Sequence, residues 1–114
     1  MKIFILGVNG FIGNALAKRL VEIKNIKLFG VDINTFNIDQ LKNKKNFFFY
    51  KLDVFKSKNK IENILKKSDV VIPLVAIATP NVYVKDPLKI FRLDFESNLE
   101  IIKLCAKYKK RIIF

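Results

Sequence analysis

Three glycines spaced G-x-x-G-x-x-G, at Gly7, Gly10 and Gly13, follow directly on the apolar run Ile3-Phe4-Ile5-Leu6. No other feature constrains the fold as much, because a buried strand that turns through glycines into a helix is the opening of a βαβ unit. Lys2 to Leu6 has the composition of a central parallel strand covered on both faces. From Gly10 to Glu22, the residues Ile12, Leu16 and Leu20 recur four apart and mark one face of a helix.

The alternation continues along the chain. An apolar run from Lys27 to Ile33 carries Asp32 near its end, a weak helix is expected from Thr35 to Lys42, and a third strand from Phe47 to Val54 carries Asp53. Ile61, Ile64 and Leu65 give helical spacing to the segment from Asn59 to Lys67, and Asp69 to Ala76 is the most apolar strand of all. Asp86-Pro87 is a helix start, with a side-chain acceptor at the N-cap and a proline whose missing N–H is harmless in the first turn. From there Leu88, Phe91, Phe95, Leu99, Ile102 and Ala106 predict one long amphipathic helix, and Arg111 to Phe114 opens a fifth strand. Strict alternation of this kind implies right-handed crossovers and an α/β, Rossmann-type, doubly wound parallel sheet of five strands, one domain over residues 1–114. Ligands of such sheets bind beyond the carboxyl ends of the strands. The chain stops in its fifth strand, so it is expected to be the front part of a larger enzyme, truncated before the catalytic and substrate-binding parts. Met1 stands directly before the first strand, so no upstream domain is expected to be fused here.

The 114 residues carry 22 Lys+Arg against 10 Asp+Glu, a formal net charge of +12. Such a balance raises nucleic acid as a partner. Yet Lys18, Lys24, Lys42, Lys44, Lys45, Lys58, Lys60, Lys66, Lys67, Lys107, Lys109 and Lys110 are scattered along the sequence, and Arg19, Arg92 and Arg111 are the only arginines. Solvated lysine faces are therefore expected, with no nucleic-acid partner. The longest apolar run, Val70 to Ala78, is shorter than the ~20 residues of a bilayer span and contains Pro73. No membrane association and a cytoplasmic location follow as expectations. Cys105 is the single cysteine and the chain has no histidine, which leaves neither a disulfide framework nor a metal site, and makes Cys105 a small core residue.

The glycine loop carries the clearest chemistry. Gly7 permits the tight turn, Gly10 lets the backbone approach a pyrophosphate, and Gly13 lets the helix pack on the strand. The amides of Phe11 and Ile12 then face the phosphates at the positive end of the helix. Asp32 stands about 20 residues after the last glycine, where a carboxylate can accept both hydroxyls of an adenosine ribose and repel a 2′-phosphate, favouring NAD over NADP. A turn or capping aspartate is the alternative. Asp53 and Val54 end the third strand, where a carboxylate can accept the adenine amine; an ordinary strand-end aspartate is the alternative there. Asp94, Glu96 and Glu100 are spread around the long helix as surface charge or partner contacts. No residue is assigned a catalytic role.

With the G-x-x-G-x-x-G loop, Pro73-Leu74-Val75-Ala76-Ile77-Ala78-Thr79-Pro80, Leu93-Asp94-Phe95-Glu96-Ser97-Asn98-Leu99 and Lys110-Arg111-Ile112-Ile113-Phe114, the sequence resembles the extended short-chain dehydrogenase/reductase family, and within it the NAD-dependent UDP-glucuronate oxidative decarboxylases of lipid A modification. That resemblance implies NAD contacts from Asp32, Asp53 and Val54, and contacts from Ala78 and Tyr83 to UDP-glucuronate or a related nucleotide sugar. Without it, Tyr83 reads as a half-buried loop aromatic. It also implies that hydride leaves C4 of the sugar, so that the resulting ketone, β to the C6 carboxylate, lets carbon dioxide depart. A homo-oligomer is expected when the chain is complete. The family's Tyr-x-x-x-Lys pair is absent, since Tyr50, Tyr83 and Tyr108 are followed four residues later by Val54, Pro87 and Ile112. UDP-xylose or UDP-apiose/xylose synthases, other nucleotide-sugar epimerases or dehydratases, and a non-catalytic NAD-binding module are the competing readings.

Overall fold

A computed structural model describes residues 1–77 and 80–114. Five parallel strands, β1 (Lys2–Leu6), β2 (Lys27–Asp32), β3 (Phe47–Lys51), β4 (Val70–Pro73) and β5 (Arg111–Ile112), form one sheet in the order β3-β2-β1-β4-β5. The order reverses at β1: the chain moves outward to β3 on one side, then returns and moves outward to β5 on the other. Doubly wound sheets bind their ligands at the crevice this reversal opens. The register Leu6↔Val31 and Leu6↔Pro73 brings the ends of the three central strands level at that point.

Side-chain alternation along β1 supplies both core layers. Ile3 and Ile5 join Leu28, Ile38, Leu41, Phe47 and Ile72 on the face covered by α1 (Phe11–Leu20) and α2 (Asp39–Lys42). Phe4 and Leu6 point the other way, to Val31, Val71 and the buried residues of α3 (Lys58–Lys67) and α6 (Ser97–Lys107), namely Ile61, Ile64, Leu65, Ile101 and Cys105. Cys105 is a buried core residue, and burial raises its thiol pKa above the ordinary value.

Several expectations shift. Strand β4, expected over Asp69 to Ala76, runs only from Val70 to Pro73, and β5, expected to Phe114, ends at Ile112. The helix expected from Thr35 contracts to Asp39–Lys42, because residues 33–38 are spent in a loop tied down by Asn37. Strand β3 stops at Lys51, where Asp53 turns the chain by accepting the Phe55 amide at 2.8 Å. A short helix that the sequence reading does not anticipate, α4 (Pro80–Lys85), precedes the long helix expected from Asp86-Pro87, which runs as α5 (Pro87–Ile90), a π-helical segment (Phe91–Glu96) and α6. Asp86 caps α5 as its sequence predicts, accepting from the Lys89 amide at 3.1 Å.

Some of the lysines that are scattered in sequence gather in space. Lys2 and Lys27 are register partners at the starts of β1 and β2, and with Lys24 and Lys45 they line one depression; Lys109, Lys110 and Arg111 line another beside it. A parallel sheet starts all its strands at one edge, where the crossover helices also end. Lys18 and Arg19 in the last turn of α1, Lys66 and Lys67 in that of α3, and Lys107 in that of α6 meet the negative ends of the helix dipoles. Much of the charge thus has a cause within the fold. No helix among the described residues is long and apolar enough to cross a membrane.

Candidate functional site

The opposite edge, where the strands end, collects the residues picked out by sequence. Gly7 has φ +84°, a left-handed conformation, and a Cβ there would stand 2.8 Å from the Leu74 carbonyl oxygen. The glycine loop therefore lies directly against the segment leaving β4. Gly13 allows the tightest approach: a Cβ on it would sit 2.2 Å from the Gly7 carbonyl oxygen. The close packing is thus of helix against loop backbone.

Gly10 is the N-cap of α1 and is exposed. It offers no side chain to occupy the helix end, and the amides of Phe11 and Ile12 have no hydrogen-bond acceptor among the described residues. The Phe11 and Ile12 side chains are exposed as well. An open helix end with unpaired amides and a positive dipole is chemically suited to a phosphate group.

Asp32 ends β2 half-buried, and both carboxylate oxygens are engaged. Oδ2 accepts from the Asn9 amide at 2.9 Å and Oδ1 from the Asn34 amide at 3.2 Å. Part of the turn reading of Asp32 is thus present in the structure. An ionised carboxylate has about four acceptor positions, so two amides leave capacity for a pair of hydroxyl donors. Asp53 stands on the same edge, one strand over, since Leu52 donates its amide to the Asp32 carbonyl at 3.0 Å. Its carboxylate closes the local turn to Phe55. Val54 is half-buried against the α3 and α6 layer and lines a groove of about 300 Å³ between those helices.

Ala78 lies outside the described residues. Tyr83 is on α4 with about half its side chain exposed (48 %). Of the acidic residues on the long helix, Asp94 needs correction: it is no plain surface charge, because its Oδ1 accepts the Ile77 amide at 3.0 Å. One turn on, Asn98 donates to the Val75 carbonyl at 3.4 Å and the Asp94 carbonyl at 2.8 Å. Together they fix the segment that follows β4, across from the glycine loop. Glu100 does pair at the surface, with Lys103 at 3.1 Å.

Asn9, Asn14 and Asn37 escaped the sequence reading. Asn9 and Asn14 are buried, and their side chains bond to the backbone of Asn37. The one available signal was a polar residue inside the glycine loop, which a pattern of glycines passes over.

The residues present fit a dinucleotide: an uncapped helix end, a glycine where a side chain would crowd it, and an oriented carboxylate at the end of the next strand. Residues 3–114 match the model of the NAD dependent epimerase/dehydratase family. The chain is 47% identical, over 99% of its length, to the bifunctional polymyxin resistance protein ArnA of Wigglesworthia glossinidia brevipalpis, of which it spans 17%. Among solved structures it resembles the PbgP3 protein of Burkholderia pseudomallei, with 46% identity, a TM-score of 0.93, and coverage of 99% of this chain and 38% of that one. It also resembles the UDP-N-acetylglucosamine 4-epimerase of Methanobrevibacter ruminantium, solved with UDP-N-acetylmuramic acid, at 25% identity and a TM-score of 0.86, covering 99% of this chain and 36% of that one.

Proposed function

The chain belongs to the NAD dependent epimerase/dehydratase family, and from that premise we propose that it is the cofactor-binding part of an NAD-dependent UDP-glucuronate oxidative decarboxylase. The observation that carries the finer reading is the 47% identity to the ArnA protein across 99% of the chain. The chain spans only 17% of that relative and 38% of the Burkholderia structure, so the activity proposed is that of a longer protein.

In this reading the amides of Phe11 and Ile12 receive the pyrophosphate, Gly10 lets it approach, Asp32 accepts the adenosine ribose hydroxyls, and Asp53 and Val54 border the adenine. Bound there, NAD supplies the hydride acceptor for C4 of the sugar. Asp94 and Asn98 hold the segment after β4, from which Ala78 and Tyr83 reach the nucleotide sugar. The chain offers no histidine and no Tyr-x-x-x-Lys pair to take the hydroxyl proton. That proton transfer belongs to residues beyond these 114.

Replacement tests the proposal. These 114 residues are grafted into the Burkholderia protein in place of its matching segment, and the chimera is given NAD and UDP-glucuronate. Release of carbon dioxide, NADH and a UDP-4-keto-pentose is expected. A folded chimera that yields UDP-xylose, with the NADH spent on reducing the C4 ketone again, would contradict the net oxidation, and one that yields the C4-inverted sugar with its carboxylate retained would contradict the decarboxylation; either leaves the family membership intact.

A further inference from the structure

We propose that Asn37 is a positioning residue for the dinucleotide site: it latches the loop after β2 onto the glycine loop and so fixes the orientation of the Asp32 carboxylate. The inference rests on the reading that this edge of the sheet holds NAD. The bonds form one connected path. The Asn37 amide donates to Asn9 Oδ1 at 2.7 Å, and its side-chain Nδ2 donates to the Asn9 carbonyl at 2.9 Å. From the other side, Asn14 Nδ2 on α1 donates to the Asn37 carbonyl at 2.7 Å. Asn9 then donates its own amide to Asp32 Oδ2.

Asn9 is therefore held on both sides of its peptide, by Asn37 and by Asp32. Asn9 and Asn14 are 7% and 8% exposed, so their ends of these bonds are withdrawn from water, while Asn37 itself stands exposed. Every bond in the path is between uncharged groups until Asp32, which keeps the local field set by that one carboxylate. The consequence concerns specificity. Each oxygen of Asp32 is tied to a different backbone segment, Oδ2 to the glycine loop and Oδ1 to Asn34. Rotating the carboxylate aside to admit a 2′-phosphate would break at least one of these bonds. The latch makes that rotation costly because it stops the glycine loop from following. Asn37 thus acts on the choice of cofactor without touching it.

The test is calorimetric titration of the chain with NAD and with NADP, for the wild type, Asn37→Ala, Asn14→Ala and the double variant, with a thermal melt of each. Losing the Nδ2 donor should weaken NAD about two- to ten-fold, the size of one hydrogen bond, and narrow its advantage over NADP. The Asn37 side chain lies on an exposed loop, so the melting temperature of Asn37→Ala should stay within about 4 °C of wild type. Asn37→Asp, equal in size but without the donor, should bind no better than Asn37→Ala. The double variant should lose less than the product of the single losses, because both break one latch. Equal affinities for wild type and Asn37→Ala, or a loss identical for NAD and NADP, would overturn the proposal. A wild type that binds no NAD would instead overturn the cofactor reading beneath it, and the latch's role with it.

Discussion

Gly13 is the residue at this site with least freedom to change. Its absent Cβ would lie 2.2 Å from the Gly7 carbonyl oxygen, and the obstacle is backbone that cannot rotate away. Gly13→Ala must therefore push the start of α1 off the glycine loop. The expected cost is about 1–3 kcal/mol, typical of overpacking, seen as a lower denaturant midpoint, together with weaker NAD binding. Asp32 carries a prediction of another kind. Asp32→Ser keeps a short polar group but removes the charge, so NAD should weaken and its lead over NADP narrow in competition binding; an unchanged preference would reject the ribose role. The glycine spacing and Asp32 are legible in sequence because each depends on local backbone geometry. Asn9, Asn14 and Asn37 are not, because their meaning lies in bonds between segments more than 20 residues apart, and asparagine is a common residue of plain turns.

At the scale of elements, helical structure does run from Leu88 to Ala106, but the expected apolar stripe is not the buried face: Leu88, Phe91, Phe95, Ile102 and Ala106 are exposed, whereas Ile90, Ile101 and Cys105 are buried. The π-helical turns at Phe91–Glu96 shift the register between the two ends, which the spacing does not reveal. Wide turns of this kind recur at functional sites, and here they contain Asp94, which holds the Ile77 amide. Asp94→Asn should keep the fold while loosening the segment after β4, measurable as faster amide exchange at Ile77 with the β1 and β2 amides unchanged. The packing of α3 on α6 gives a pH prediction. Glu62 on α3 accepts hydrogen bonds from the Tyr108 hydroxyl and from Lys107 Nζ, with Lys66 and Lys107 both lying over the Tyr108 ring. The Tyr108 bond first, then the lysines, hold the Glu62 carboxyl below its ordinary value. A carboxylate lowered in the folded state contributes stability that is complete above its unfolded value and lost as pH falls through the folded one. Glu62→Gln should therefore melt earlier than wild type at pH 7, and the two melting curves should converge below about pH 4. A difference that persists in acid would mean packing, not ionisation, is what Glu62 supplies.

For the whole molecule, strand and helix alternation foretold a parallel doubly wound sheet because each βαβ unit has only one common hand. The charge distribution was not legible in the same way. It takes the topology to show that Lys2, Lys27 and Arg111 begin strands of one sheet and Lys45 shortly precedes another, while Asp32 ends its strand and Asp53 follows the end of its own. Phe91 and Phe95, each about half exposed, stack on each other at 5.1 Å. Such surface favours self-association. The chain should sediment with an apparent mass that rises with concentration, and Phe91→Lys with Phe95→Lys should lower it. With neither a Tyr-x-x-x-Lys pair nor a histidine in the sequence, these 114 residues should form no NADH from UDP-glucuronate above a protein-free control. The central claim is that they nonetheless hold the cofactor, and calorimetric titration of the purified chain with NAD tests it most directly. Saturable one-to-one binding, tighter than that of NADP, is the predicted result; a folded chain that takes up neither dinucleotide, or both equally, would contradict it.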